Sequence, residues 1–482
     1  MGSMINNQIF NIAMKKIAMS LLSHQQEAID KLNDTDALLL YHGLGSGKTI
    51  TSIAATLGDE VDVIVPASLR ENFKKELNKF PGRKNYNIRS YHHFTKHGPI
   101  DKYKTIILDE PQKIGRTSSL ISQEIVNAAP EYQKRILLTG TPASNNPAEL
   151  APIIHFLNPG IKTIPINPAE FNKRFIDEKK IPVGFFNWIS GARAGVDYDI
   201  KNKDMFLDAL KGRVHYYEPS LENFPDRKDH IVEAIASDDQ KHYYQYVTGN
   251  YDPIIAMKVR NNLPFSKAEL SNLNAFMTAA RQVSNTTAPY GGKEVLSNKM
   301  KVLVDNVKSG IDNNSKHKAI IYSNYLDAGI NPIADQLDKE GIKYKKFIGG
   351  MSDKNKQEAV DLYNKGKINA LLISGSGSEG LDLKNTSSIH ILEPHWNKNK
   401  IEQVIGRGIR YKSHQSLPRE KRVVDVYKYQ TVMPQTFLQK LFGKPAYTSA
   451  DQVLENLSNQ KQELLDKFLN VMKDEGRKEN GR

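Results

Sequence analysis

The sequence predicts an α/β protein with two parallel-sheet domains, a largely helical insert between them and a C-terminal helix. Three observations carry this. Short apolar runs alternate with helically spaced stretches in two separate regions, the pattern of parallel sheets covered on both faces. One of those runs ends at Tyr41 in a glycine-rich turn that opens a helix at Lys48 and Thr49. The stretch between the two regions is punctuated by Pro165, Pro168, Pro182, Pro219, Pro225, Pro253 and Pro264 and has weaker strand signals.

In the first region, expected at 1–160, DALLLYHG, VDVIVPA, KTIILDE and KRILLTGT read as buried strands. Ile50 to Leu57, Leu69 to Leu77 and Leu120 to Ala128 have helical spacing. In the insert, expected at 161–294, SDDQKHYYQYV and SKAELSNLNAFMTAARQV read as helices. In the second region, expected at 295–435, HKAIIYS, YKKFIGG, NALLIS, SIHILEP and RVVDVYKY read as strands. Helices near Asn331 to Glu340, Asp353 to Asn364 and Lys400 to Ile405 separate them. In the last piece, 436–482, Ser449 with Gln452 three residues on has the pattern of a capping box. Leu454, Leu457, Leu464, Leu465, Phe468 and Leu469 then form one apolar stripe, expected to dock on the second domain. The tail KDEGRKENGR has the composition of a disordered segment.

A chain of 482 residues suits two or three domains, and 39% hydrophobic residues suffice for their cores. No apolar run is long enough to cross a bilayer, and no secretory signal is evident; Met1 to Met4 reads as an added leader before a native start at Met4. Lys plus Arg is 67 against 54 for Asp plus Glu, a net +13 that favours a polyanionic partner. The absence of cysteine excludes disulfides, thiolate zinc sites and cysteine nucleophiles, and fits a reducing cytoplasm, the host's if the protein is viral.

LLLYHGLGSGKTI is the sharpest signal. Gly43, Gly45 and Gly47, with Ser46 between the last two, let backbone amides turn towards phosphate oxygens, and the new helix points its positive end the same way. Lys48 is placed to reach β- and γ-phosphates and the Thr49 hydroxyl to hold Mg²⁺. The usual pattern begins with Gly where this chain has His42. YKTIILDEPQ supplies the partner: its strand delivers Asp109 for Mg²⁺ and Glu110 as general base. These pieces point to Mg-ATP hydrolysis.

The remaining motifs resemble superfamily 2 helicases of the Swi/Snf-like group, from about Leu22 to Tyr429. LLSHQQEAI looks like the adenine-sensing entry motif, with Gln25 in the adenine-contacting place. VIVPASLRENFKKEL and SYHHF look like motifs Ia and Ib, and LLTGTPASNNPAEL like motif III. KAIIYSN, LLISGSGSEGLDLKNTSSIHILEPHWN and QVIGRGIR resemble motifs IV, V and VI. The resemblance implies two RecA-like domains closing on one ATP. It implies Arg407 and Arg410 as arginine fingers, Gly380 and Asp382 as further ATP-site residues, and Gln112, Thr139, Thr141 and Gln403 as coupling residues. It implies phosphate contacts from Ser68, Arg70, Tyr91, Ser323 and Ser374, with little sequence specificity. Two departures stand out: the group's DEAH reads DEPQ, so Gln112 replaces His, and RYKSHQSLP replaces the RIGQ ending. The latter looks more like helicases of phages and large DNA viruses, with the phage branch-migration type as the expectation.

The reading is thus an ATP-dependent helicase or translocase on duplex, forked or branched DNA, with replication or recombination proteins as possible associates and no membrane. The alternatives are a nucleic-acid-stimulated ATPase subunit of a viral transcription-termination or packaging assembly, and a binding module with a decayed ATP site. Two aromatic features are open between function and packing. Phe185, Phe186 and Trp188 near Arg193 suit either a junction wedge or a cluster under a long loop, and Trp396 suits a strand contact or a brace.

Overall fold

The computed structural model describes residues 21–80, 85–181, 195–249, 251–261, 263, 265, 269–375, 381–443 and 446–478. Its strands in chain order are β1 (Ala37–His42), β2 (Val61–Val65), β3 (Tyr86–Ser90), β4 (Thr105–Asp109), β5 (Lys134–Thr139), β6 (Ile176–Ile181), β7 (Gly195–Ile200), β8 (Val214–Tyr217), β9 (Asp226–Ile235), β10 (Ala319–Ser323), β11 (Tyr344–Phe347), β12 (Ala370–Ser374), β13 (Ser388–Ile391) and β14 (Val423–Val432). They form two six-stranded sheets, ordered β3-β2-β4-β5-β1-β8 and β11-β12-β10-β13-β14-β9, and a separate β6-β7 pair. Every described pairing within the six-stranded sheets is parallel.

The apolar strands are apolar because both faces are covered. In β1, Ala37, Leu39 and Tyr41 enter one core while Leu38 and Leu40 enter the other. β10 and β12 divide the same way: Ile320, Tyr322, Leu371 and Ile373 on one side, Ala319, Ile321, Ala370 and Leu372 on the other. Side chains alternate along a strand, so a continuous apolar run fills two layers at once.

The division of the chain departs from the expected four consecutive pieces. One compact unit comprises Met1–Glu178, Tyr198–Ser220 and Lys461–Arg482; the other comprises Lys179–Asp197 and Leu221–Gln460. The insert is divided between the two units because it supplies an edge strand to each sheet. β8 pairs with β1, and β9 pairs with β14 over its whole length. The insert's helices Asp238–Gly249, Pro253–Asn261 and Glu269–Asn285 do form a body of their own, around Tyr244, Val259, Phe276 and Val283. Trp396 packs against that body.

The C-terminal helix runs from Ala450 to Lys478, and its capping box is formed: the Gln452 amide donates to the Ser449 hydroxyl at 3.2 Å and the Ser449 amide to Gln452 Oε1 at 3.0 Å. It does not dock on the second domain alone. Ala450 and Val453 join the helical body, whereas Leu465, Phe468 and Leu469 join the core of the first unit. The expected disordered tail is helical through Lys478, because Gly476 lets the helix lie against the β8 backbone at Tyr216, 2.8 Å from where a Cβ would sit. Phe185, Phe186, Trp188 and Arg193 lie outside the described residues.

Candidate nucleotide site

Strand β1 is buried along its whole length and ends at His42, beside the turn Gly43–Gly47. Gly45 and Gly47 take φ of 78° and 80°, the left-handed region that glycine adopts without strain. Lys48 opens the helix Lys48–Ala55. Its ammonium donates to the carbonyls of His42 at 2.9 Å and Gly43 at 3.2 Å, so it lies across the mouth of the loop. Enclosure lowers the Lys48 ammonium below the usual lysine range, and Glu110 and Asp109 oppose that shift with their charge.

The entry helix Ser23–Asp34 grips the loop from one side. His24 Nε2 lies 2.9 Å and Gln25 Nε2 3.3 Å from the Ser46 carbonyl. The carbonyl can only accept, so His24 carries its proton on Nε2. Gln25 Oε1 accepts from the Leu22 amide at 2.9 Å, which ties the expected adenine reader to the helix start and the loop.

β4 delivers the carboxylates. Asp109 is pushed up to about 7 by burial first and by Glu110 second, with Lys48 pulling it back. Glu110 takes φ 58° and ψ 56°, a left-handed conformation that a non-glycine residue holds at a cost of order 1–3 kcal/mol. Such strain concentrates where a side chain must be aimed, and here the Glu110 carboxylate meets the side chain of Gln112. The Gln112 amide donates to the Glu110 carboxylate. The Thr139 hydroxyl donates to Gln112 Oε1 at 3.0 Å, and the Thr141 amide donates to that hydroxyl at 2.9 Å. Gly140, between the two threonines, sits where a Cβ would be 3.9 Å from Lys48 Nζ. The four expected first-unit coupling and base residues therefore form one row ending at the phosphate loop.

These residues fit Mg-ATP. The Ser46 hydroxyl is buried in the loop with no protein partner, and Asp109 and Glu110 bring two acidic side chains together beside Lys48, a donor set suited to a divalent cation. Gly43, Gly45, Ser46, Gly47, Lys48 and Thr49 would hold the phosphates, and Thr49 and Asp109 the ion.

In the second unit, Arg410 donates to the Leu381 carbonyl at 2.9 Å and lies 3.6 Å from Asp382, so motifs V and VI are joined there. Arg407 and Gln403 sit one turn apart on the helix Lys398–Gly408, Gln403 exposed and Arg407 half-buried. Gly380 lies outside the described residues.

The expected nucleic-acid contacts divide. Ser68 is exposed and Arg70 half-buried at the start of the helix Arg70–Leu77. Three others are enclosed by protein. Tyr91 is 4% exposed and its hydroxyl donates to the Asp109 carbonyl at 2.9 Å, so it supports the carboxylates. Ser323 is wholly buried and its hydroxyl donates to Glu393 at 3.0 Å. Ser374 is 3% exposed, paired with Ser323 across β10 and β12. For Ser323 the physical reason is Glu393, a buried carboxylate that needs donors and takes Ser323, the Asn324 amide and Asn285. Glu393 was not singled out in the sequence, because SIHILEP reads simply as an apolar strand and its end. His215 and Tyr217 were missed for a similar reason, lying in the expected insert.

A fold of two parallel sheets with a phosphate loop, paired carboxylates and a trailing basic helix defines a helicase-type ATPase. Residues 74–288 match the SNF2-related domain, and residues 298–412 match the helicase conserved C-terminal domain. The chain thus carries an SNF2-related domain followed by a helicase C-terminal domain, and is an ATP-hydrolysing enzyme of helicase type. It is 29% identical over 468 residues to L538 of Acanthamoeba polyphaga mimivirus, named as an ATP-dependent RNA helicase, covering 94% of this chain and 97% of that one. It is 24% identical over 563 residues to a termination factor NPH-I homolog of African swine fever virus, covering 91% and 76%. A solved Sulfolobus solfataricus SWI2/SNF2 ATPase core in complex with dsDNA is 18% identical with a TM-score of 0.34, covering 94% and 97%. Among the described residues no helix is long and apolar enough to cross a membrane.

Proposed function

We propose that the protein is an ATP-driven translocase on nucleic acid, with duplex or branched DNA as its track. One observation carries the reading: the unbroken row from the Glu110 carboxylate through Gln112 and Thr139 to the Thr141 backbone. A general base tied to the loop after β5 responds to whatever that loop touches, which is the requirement for coupling hydrolysis to movement.

Bound Mg²⁺ would supply charge neutralisation at the phosphates. Lys48 binds the phosphate oxygens, Glu110 takes the proton of the attacking water, and Gln112 keeps that carboxylate aimed. Arg407 and Arg410 supply positive charge to the transferred phosphoryl group; Arg410 must exchange its Leu381 and Asp382 contacts to do so. Contacts to phosphate, from Ser68 and Arg70, carry little sequence information.

A second reading is favoured by the likeness to the NPH-I homolog. On it, the protein is a nucleic-acid-stimulated ATPase of a viral transcription-termination assembly and displaces no strand by itself. Strand displacement and branch migration on forks, four-way junctions and tailed duplexes, of DNA and of RNA, separate the two. ATP-dependent displacement supports the translocase. Stimulated hydrolysis with no displacement on any substrate supports the termination reading and removes the first.

A further inference from the structure

The usual phosphate-loop pattern has glycine where this chain has His42, and the structure puts that departure to use. β8 is the edge strand beside β1, in register from Leu39 with Val214 to His42 with Tyr217. Its ladder runs one residue past the end of β1: the Gly43 amide donates to the Tyr217 carbonyl at 2.8 Å. Pro219 closes over the same spot, its Cδ 2.6 Å from where a Cβ on Gly43 would lie. The floor of the loop is therefore made by a segment far away in sequence.

Side chains strengthen that floor. His42 Nε2 and His215 Nδ1 are 2.7 Å apart, and both rings are buried. Tyr217 stacks flat on His24 at 3.5 Å, and His24 in turn holds the Ser46 carbonyl. Lys31 donates to the Val214 carbonyl at 2.8 Å, fixing the strand's other end. Hydrolysis is a property of the loop; what β8 adds is the position of the His42 and Gly43 carbonyls that receive Lys48.

We propose that His215 is a positioning residue for ATP: through its hydrogen bond to His42 it sets the base of the phosphate loop and thereby the resting place of the Lys48 ammonium. Burial keeps both rings neutral, His42 well below the ordinary histidine range and His215 down to about 4, so the pair is a hydrogen bond between neutral imidazoles. The pair touches no substrate. Its loss loosens the loop equally for bound ATP and for the transition state, so it is read in KM rather than in kcat.

The test compares ATP turnover of the full chain with His215→Leu, which keeps bulk but no hydrogen bond, and with His215→Asn, whose amide can meet His42. We expect His215→Leu to raise KM for ATP about tenfold, the worth of one hydrogen bond, with kcat within about twofold. We expect His215→Asn to recover most of the loss, and binding of Mg-ADP to follow the same order. An unchanged KM in folded His215→Leu overturns the proposal, as does a fall in kcat that His215→Asn does not repair. Should His215→Leu not fold, His42→Leu is read instead; loss of the fold in both shows that the pair serves the sheet alone and also overturns it. The inference rests on ATP hydrolysis at this site. An inactive wild-type protein removes that reading, whereas an active wild type with an indifferent His215 removes only the positioning role.

Discussion

The Thr139 hydroxyl donates to Gln112 Oε1 across 3.0 Å, and the same oxygen of Thr139 receives the Thr141 amide. Gln112 stands where the group's DEAH box has His. Its amide has both a donor and an acceptor, so it bridges a carboxylate on one side and a hydroxyl on the other. Thr139→Val keeps the shape and removes the donor. Nucleic-acid-stimulated turnover should fall about tenfold, one hydrogen bond in the transition state, measured as kcat at saturating nucleic acid. Equal stimulation of variant and wild type would break the link between the row and coupling.

Gly47 is constrained twice, by its φ of 80° and by Gln25 packed where a Cβ would go. Gly47→Ala should weaken Mg-ADP binding and lower thermal stability. The backbone alone costs about 1–2 kcal/mol in the left-handed region. Gly58, with φ of 96° and open space around it, isolates the backbone effect: Gly58→Ala should cost stability without changing nucleotide affinity. Calorimetric titration with Mg-ADP distinguishes the two.

Lys299 and Asp451 form an ion pair at 2.6 Å with neither side chain exposed, and Asp451 also accepts from the Thr431 amide at 3.0 Å. Asp451→Ala leaves an ammonium buried without its counterion. Destabilisation of about 3–5 kcal/mol is expected for the second unit, read by urea unfolding. A loss below 1 kcal/mol would mean that water reaches Lys299.

Among the histidines that burial holds below their ordinary range, His215 and His395 are brought down to about 4 and His390 to about 3. The unfolded chain, with histidines near 6.5, then binds more protons than the folded one between those values. Stability is full above about pH 6.5 and falls as the pH drops towards 4, by about 1.4 kcal/mol per pH unit for each group fully within its window. Denaturant midpoints at pH 7.5, 6 and 5 should decline in that order; a flat series would mean that these rings are protonated in the fold.

The sequence made most of the site readable because chemistry there is local. Gly43 to Thr49 lie on one turn, and Asp109 to Gln112 on another. The strands that fill two cores, such as β1 and β12, announce themselves by unbroken apolar runs. β3 does not, since Arg89 sits inside it, buried with its charge paired to Asp62 on the neighbouring strand β2. β8 does not either: His215 and Tyr217 are polar until His42 and His24 are placed beside them. The burial of Ser323 was not readable, because a strand end in this fold is where a ligand usually binds and nothing local reveals that Glu393 lies beneath.

The central claim is that Lys48 and Glu110 hydrolyse ATP in response to nucleic acid. ATP turnover with and without duplex DNA, for wild type and Glu110→Gln side by side, tests it most directly. Duplex should stimulate the wild type, and Glu110→Gln should lose about 10²–10⁴-fold in kcat, the worth of a general base, while still binding Mg-ATP. Turnover by Glu110→Gln at the wild-type rate, or a wild type indifferent to every nucleic acid supplied, would contradict it.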